Sequence, residues 1–323
     1  MSSFTSQFAS RLQCFLDHKR GLGFAYLGEE SLLHDLERLT AGTDPAPNVL
    51  DEALVRRFVA AGPRGSRSHR LTLVRQLARF LAVEEPGTFI PPRRFLGAKR
   101  QRPVIRVLTR EEAGRFLCAC DEMTDSSQYP HRGLIHGTLL RVLLLTGLRR
   151  GEGLALEVAD VDLETGVLLV RKGKFGKTRF VPVANDLRDR LRDYDAEIRR
   201  RVPDRGTDDA FFPGPDGHGH GKRASLYTSF RRMLDAVGIL HGGRGEGPRL
   251  HDLRHTFAVL RLITWYEQGA DLNAKLPLLA TYLGHIGLTT SQVYLHMTRD
   301  LAGEVVRRFE ARFGDIITSE VAA

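Results

Sequence analysis

Apolar residues recur at helical spacing through the first quarter of the chain. Phe4, Phe8, Leu12 and Phe15 form one set, Leu32, Leu36 and Leu39 a second, Leu50, Leu54 and Phe58 a third, and Leu71, Val74, Leu77 and Leu81 a fourth. An apolar stripe at that spacing is one face of an amphipathic helix, so residues 1–84 are expected to form a four-helix unit with short connections. The periodicity then stops. Pro86, Pro91, Pro92 and Pro103 alternate with Arg93, Arg94, Lys99, Arg100, Arg102 and Arg106, and proline without periodicity predicts an extended, basic linker over 85–106.

A second domain is expected over 107–323. Thr109 and Glu112 have the spacing of a capping box, which opens a helix through Phe116 and Leu117. The stretch His131 to Leu145 is apolar nearly all round, as a central core helix would be. Val167 to Val170 and Arg179 to Val183 are β-branched and glycine-bounded, and predict two strands around a basic hairpin tip, Lys172 to Lys177. Asp186 to Val202 is strongly charged, with Leu187, Leu191, Tyr194 and Ile198 on one face, which describes an outer helix. Glycine-rich loops follow at 206–222 and 241–247, then a helix around His251. The glycines and threonines between Tyr282 and Tyr294 predict a helix end, a turn and a new helix. Leu301, Val305, Phe309 and Phe313 predict one more helix. The fold class is therefore mainly α with a small β-sheet, a helical domain preceding a mixed α+β domain.

Composition narrows the class of partner. The 323 residues are 42% apolar and 27% charged, as in a globular protein large enough for two cores. A net charge of +9 points to a polyanionic partner. Charge alone does not separate DNA from RNA or a membrane. The basic excess gathers at Arg56, Arg57, Arg64, Arg67, His69, Arg70, Arg75 and Arg79, where contact with a DNA backbone is expected. The N-terminus lacks the basic start and apolar run of a signal peptide. The longest apolar stretch, Leu139 to Leu148, contains Arg141 and is far too short to span a bilayer. A cytoplasmic protein without membrane contact is expected.

Several chemistries find no support in the residues. Cys14, Cys118 and Cys120 are odd in number and suit reduced, mostly buried thiols better than a disulfide framework. His218 and His220 have no cysteine or carboxylate cluster nearby to complete a metal site. Neither glycine-rich loop ends in the Gly-Lys-Ser/Thr of a phosphate-binding loop. No carboxylate pair of the kind that holds magnesium in nucleases is evident. No metal or cofactor is expected.

The densest polar chemistry lies near the end of the chain. Leu250-His-Asp-Leu-Arg-His255 is followed by Tyr282-Leu-Gly-His285, and Tyr294-Leu-His296 comes nine residues after His285. On a helix, His251 and Arg254 share a face and can grip one oxyanion together. A phenol becomes a nucleophile toward phosphorus when its proton is shared and cations surround the phosphate oxygens.

These motifs resemble the tyrosine recombinases, or phage integrase family. The same resemblance extends upstream, in matching order, to Thr146-Gly-Leu-Arg149-Arg-Gly-Glu152 and to Gly173-Lys174-Phe-Gly-Lys-Thr-Arg179-Phe-Val-Pro182. It covers about residues 105 to 315; the first domain matches only in being helical and basic. The resemblance implies a helical core-binding domain joined to a catalytic domain, clamped around double-stranded DNA. Arg149, Lys174, His251, Arg254, His285 and Tyr294 are the site residues it implies, with Glu152 orienting Arg149. Tyr294 would be the nucleophile, Arg149 and Arg254 the phosphate clamp and His251 a general base or donor. His285 would add a phosphate hydrogen bond. Lys174 would be the general acid, a role for which Lys177 is the competitor. Site-specific recombination through a 3′-phosphotyrosyl intermediate and a Holliday junction would follow, by a homotetramer on paired sites. Nicking and resealing in the manner of a type IB topoisomerase, or an architectural role without catalysis, are the other readings. In the family the C-terminal helix commonly docks on a neighbouring subunit; here docking in cis and in trans both stay open.

Overall fold

The computed structural model describes residues 4–41, 49–63, 65–92, 95, 105–125, 130–171, 178–217, 219, 223–240 and 247–284. The chain divides into two compact units, Met1–Arg102 and Pro103–Ala323. As the periodicity predicts, the described residues are mainly helical, with one small sheet.

The first unit contains α1 (Ala9–Gly21), α2 (Leu27–Ala41), α3 (Glu52–Ala60) and α4 (Arg67–Leu81). Their apolar stripes meet in one core of Phe8, Leu12, Phe15, Leu33, Leu36, Phe58, Val74 and Leu77, all fully buried. Asp51 starts α3 by accepting a hydrogen bond from Leu54 N at 2.7 Å, the usual remedy for an orphan N–H at a helix start.

Two expectations change here. Much of the basic cluster between 56 and 79 serves the fold. Arg70 is 6% exposed, pairs with Asp35 and donates from Nη1 to Phe58 O at 3.1 Å. Arg56 binds Glu52 and covers the Phe95 ring, and Arg57 donates to Leu39 O. A buried guanidinium must be paired to repay its desolvation, and an unpaired-looking arginine in sequence carries no mark of that. The first part of the predicted linker is also packed, not extended. Thr88 and Pro91 are buried, Phe89 N donates to Leu50 O at 2.8 Å, and Arg75 donates to the carbonyls of Pro91 and Pro92. Phe89 and Phe95 supply the apolar area that holds the segment against the helices.

The second unit runs α5 (Arg110–Asp121), α6 (Arg132–Thr146), α7 (Arg150–Leu154), a 3-10 turn (Val158–Asp160), β1 (Val161–Asp162), β2 (Val167–Val170), β3 (Arg179–Pro182), α8 (Asn185–Arg201), α9 (Arg223–Ala236), α10 (Leu250–Glu267) and α11 (Leu272–Leu283). The strands form an antiparallel sheet in the order β1-β2-β3, with Leu168 opposite Val181 and Val170 opposite Arg179. Thr109 and Glu112 close the capping box expected of them.

Helix α6 is the central element, as its all-round apolarity predicts, and packs against α5, α7, α8, α9 and α10. Glycine makes the closest of these contacts possible. A Cβ on Gly137 would lie 2.3 Å from the Cys120 carbonyl oxygen, and one on Gly133 would lie 2.1 Å from that of Met123. These two glycines, one turn apart, let the end of α5 rest on the α6 backbone.

Of the three cysteines, only Cys120 is buried; Cys14 and Cys118 are exposed and all three are free thiols. The expectation of mostly buried thiols fails because Cys14 and Cys118 fall on the outer faces of α1 and α5. Burial pushes the Cys120 thiol up to about 12. Among the described residues, no helix is long and apolar enough to cross a membrane, and no cluster of His, Cys, Asp or Glu is arranged to hold a metal ion.

Overpacking a tight backbone contact costs about 1–3 kcal/mol, so Gly137→Ala is expected to lower stability by that amount despite alanine's better helix propensity. Urea unfolding of the two proteins checks this; equal or greater stability of the variant would show that the α5–α6 contact is not limiting.

Candidate active site

The site begins at the end of α6. Gly147 leaves the helix in the left-handed region at φ +65°, which glycine adopts without strain. Two residues on, Arg149 opens α7. Its backbone N–H donates to Glu152 Oε2 at 2.9 Å and its Nη1 to Glu152 Oε1 at 2.6 Å. Glu152 therefore holds Arg149 by both main chain and side chain.

Arg179, the first residue of β3, grips the same carboxylate from another direction. Its Nη1 and Nη2 donate to Glu152 Oε1 and Oε2 at 3.1 and 2.9 Å. The Glu152 side chain is only 7% exposed. Burial alone would raise its pKa, but the hydrogen bonds from Arg179 and Arg149 outweigh that and hold it at about 2. The carboxylate stays ionised across the physiological range.

Helix α10 delivers the other two residues. His251 lies in its first turn and Arg254 one turn further, so the predicted shared face exists, but the two differ sharply in burial. Arg254 is 2% exposed, whereas His251 reaches solvent. Arg254 donates from Nη1 to Gly147 O at 2.8 Å and from Nη2 to Leu283 O at 2.6 Å. The ring of His251 packs edge-on against His255, with centroids 4.9 Å apart. Burial of part of its surface, then the charge of Arg254, and more weakly Arg249 and Arg149, lower the pKa of His251. His255 is pushed down to about 4, chiefly by burial. Both imidazoles are neutral at pH 7.

The two clusters meet at the end of α11. Gly284 terminates that helix at φ +67°. Its carbonyl accepts from Arg149 Nη2 at 3.3 Å, while Tyr282 O accepts from Arg179 Nε at 2.9 Å and Leu283 O from Arg254. Three consecutive carbonyls thus receive three guanidinium groups drawn from α7, β3 and α10. Lone-pair acceptors that α11 cannot satisfy internally here set the orientation of the cations. The arrangement concentrates positive charge and fork-shaped donors at one point, which suits a phosphate.

The structure therefore brings Arg149, His251 and Arg254 into one neighbourhood. Lys174, His285 and Tyr294 lie outside the described residues, as do Lys177, His218, His220 and the predicted helix after Arg299. In sequence, Lys174 precedes Arg179 by five residues and His285 follows Gly284 directly. Arg179 was not among the expected site residues. Its signal was present, as the arginine of the Gly-Lys-x-x-Lys-x-Arg motif at the mouth of the hairpin.

Residues 106–300 match the phage integrase family. Over 314 residues the chain is 33% identical to y4rB of Sinorhizobium fredii (strain NBRC 101917 / NGR234), named as an integrase/recombinase, covering 96% of this chain and 99% of that protein. It is 31% identical over 254 residues to tyrosine recombinase XerD of Caulobacter vibrioides (strain ATCC 19089 / CIP 103742 / CB 15), covering 77% of this chain and 78% of XerD. Among solved structures, the XerH site-specific recombinase bound to its palindromic difH substrate shares the fold. That likeness has a TM-score of 0.58 at 22% identity, over 88% of this chain and 78% of that one.

Because its folded pKa lies below the ordinary 6.5, His251 is expected to be mainly neutral at pH 6.5 and to reach half-protonation only below it. Any property that depends on neutral His251 would be lost as pH falls through that lower value. A histidine 15N NMR titration, assigned with His251→Gln, checks this; half-protonation above pH 6.5 would contradict it.

Proposed function

The chain belongs to the phage integrase family, and from that premise we propose a tyrosine-type site-specific DNA recombinase, serving integration, excision or transposition. The observation that carries the reading is the convergence of Arg149 and Arg254 on adjacent carbonyls at the end of α11, those of Gly284 and Leu283 in the Leu-Gly-His285 motif. Independent structural demands have no reason to bring two guanidinium groups from distant parts of the chain to that motif.

Tyr294 Oη forms a bond to the scissile phosphorus, and the bond from phosphorus to the 5′ oxygen breaks. The phenol proton passes to His251, which is neutral and able to accept it. Lys174 protonates the departing 5′ oxygen. Arg149 and Arg254 stabilise the charge on the nonbridging oxygens, and His285 adds a hydrogen bond. The DNA is left as a 3′-phosphotyrosyl ester, which conserves the bond energy, so ATP has no part in resealing. Side-chain cations supply the charge stabilisation in every step.

Attack on that ester by the 5′ hydroxyl of a second duplex exchanges strands, and two such rounds pass through a Holliday junction. Two duplexes present four strands to be cut, one tyrosine each, which is the basis for a homotetramer on paired sites. The helical unit, residues 1–84 together with the stretch through Pro92 packed on it, is assigned as the core-binding domain, and the rest of the basic stretch to Arg106 as the linker to the catalytic domain over 107–323. Exposed Arg79 supports a DNA-facing role for the first unit, and the whole-chain net charge of +9 suits a polyanionic partner. The cell interior, where the DNA is, is the expected location.

A duplex carrying the native site, nicked beside the scissile phosphate to trap cleavage, tests the reading in the presence of EDTA and without ATP. Wild type is expected to form a protein-linked 3′ fragment on a denaturing gel, and Tyr294→Phe to form none. No adduct on a duplex that the protein binds would favour the architectural role. Cleavage that is indifferent to a second site would favour nicking and resealing.

A further inference from the structure

We propose that Arg179 is a positioning residue, which orients Arg149 toward the scissile phosphate through the shared Glu152 carboxylate and locks the end of α11 in the same contact. The proposal rests on the recombinase reading and adds a residue to its machinery.

An ionised carboxylate offers about four lone-pair sites, and in Glu152 all four are engaged. Arg149 takes one by its main chain and one by Nη1, and Arg179 takes two by its fork. Arg179 therefore determines how Arg149 can sit. With the Arg179 fork occupying one edge of the carboxylate, Arg149 is confined to a single side-chain bond there, and its Nη2 turns to Gly284 O. Without Arg179, the obvious rearrangement is a bidentate pairing of Arg149 with Glu152, the preferred geometry of such pairs. That pairing would commit to Glu152 the donors that a phosphate needs.

The same guanidinium reaches α11. Arg179 Nε donates to Tyr282 O, and a Cβ on Gly284 would lie 3.0 to 3.2 Å from its Nη1, Cζ and Nε. The flat group lies against the glycine at which α11 ends, so Gly284 serves close approach as well as its left-handed φ. One side chain on β3 thus joins the strand leading from the Lys174 motif, the carboxylate that holds Arg149 and the residue before His285. The Arg179 side chain is 13% exposed, so its pairing is also shielded from solvent screening.

A plain structural staple would predict lost stability without a specific effect on chemistry, and the experiment separates the two. Arg179→Met, Arg179→Lys, Glu152→Gln and the double variant Glu152→Gln/Arg179→Met are compared in single-turnover cleavage of the nicked duplex at saturating protein. Arg179→Met is expected to slow cleavage by about 10- to 100-fold, the usual range for outer partners of a reacting group, with site-DNA affinity held within about two-fold. Arg179→Lys, which keeps the charge but not the fork, is expected to recover part of the rate and serves alone if the methionine variant does not fold. On the Glu152→Gln background, Arg179→Met is expected to add little, because both changes break one network.

A second arm does not depend on activity. In protein labelled with 15N-arginine, the Arg149 guanidinium, assigned with Arg149→Lys, is expected to shift and to rotate more slowly about its Cζ–Nε bond once Arg179 is replaced, because both Nη groups then pair with Glu152. Unchanged cleavage at saturation, full additivity with Glu152→Gln, or an Arg149 signal indifferent to Arg179 would each overturn the proposal. Wild type that forms no adduct would sink the recombinase reading instead, and the NMR arm would still decide whether Arg179 orients Arg149.

Discussion

One buried carboxylate, Glu152, organises the second unit's polar interior. An unpaired ion in that position would cost several kcal/mol, and the fold meets the cost with two guanidinium groups from α7 and β3. The pairing works in both directions. Glu152 is kept ionised by Arg149 and Arg179, and each arginine is kept in place by an anion that does not titrate near neutral pH. The contact ties the short helix α7 to the strand β3.

The second device is the use of backbone as a fixed array of acceptors. Gly147 and Gly284 end two helices in the left-handed region, and the carbonyls beside those ends receive Arg254, Arg149 and Arg179. A side-chain acceptor would carry its own rotamers and its own pKa. A main-chain carbonyl has neither, so the cations are oriented by the helix axes themselves.

Residue patterns exposed most of the helical scaffold, because amphipathic stripes and the Thr109–Glu112 cap are local signals. Arg149, His251 and Arg254 were legible only as motif residues, and their convergence depends on contacts spanning more than a hundred positions. The patterns were silent on α9 and on the two-residue β1, and marked only the end of α11. Helix α11 carries Pro277 within it and leaves Leu278 exposed, which blurs the stripe. Buried arginines are the other blind spot. Arg70 reads as surface charge, and only the Asp35 carboxylate and the Phe58 carbonyl across the core reveal it as a strut. Phe89 likewise turns a proline-broken stretch into part of the packed unit, since one aromatic ring outweighs the absence of periodicity.

The separations along the chain carry a consequence for biosynthesis. Arg149 meets its α11 carbonyl across 135 residues, Arg254 meets Gly147 across 107, and Arg179 meets Tyr282 across 103. Contacts of such high order form late, after local helices have condensed. A nascent chain that has not yet released α11 from the ribosome already contains all three arginines, but the three α11 carbonyls that receive them are not yet in place. The cationic pocket is therefore a property of the nearly finished polypeptide, and partial translation products are unarmed toward any DNA they encounter.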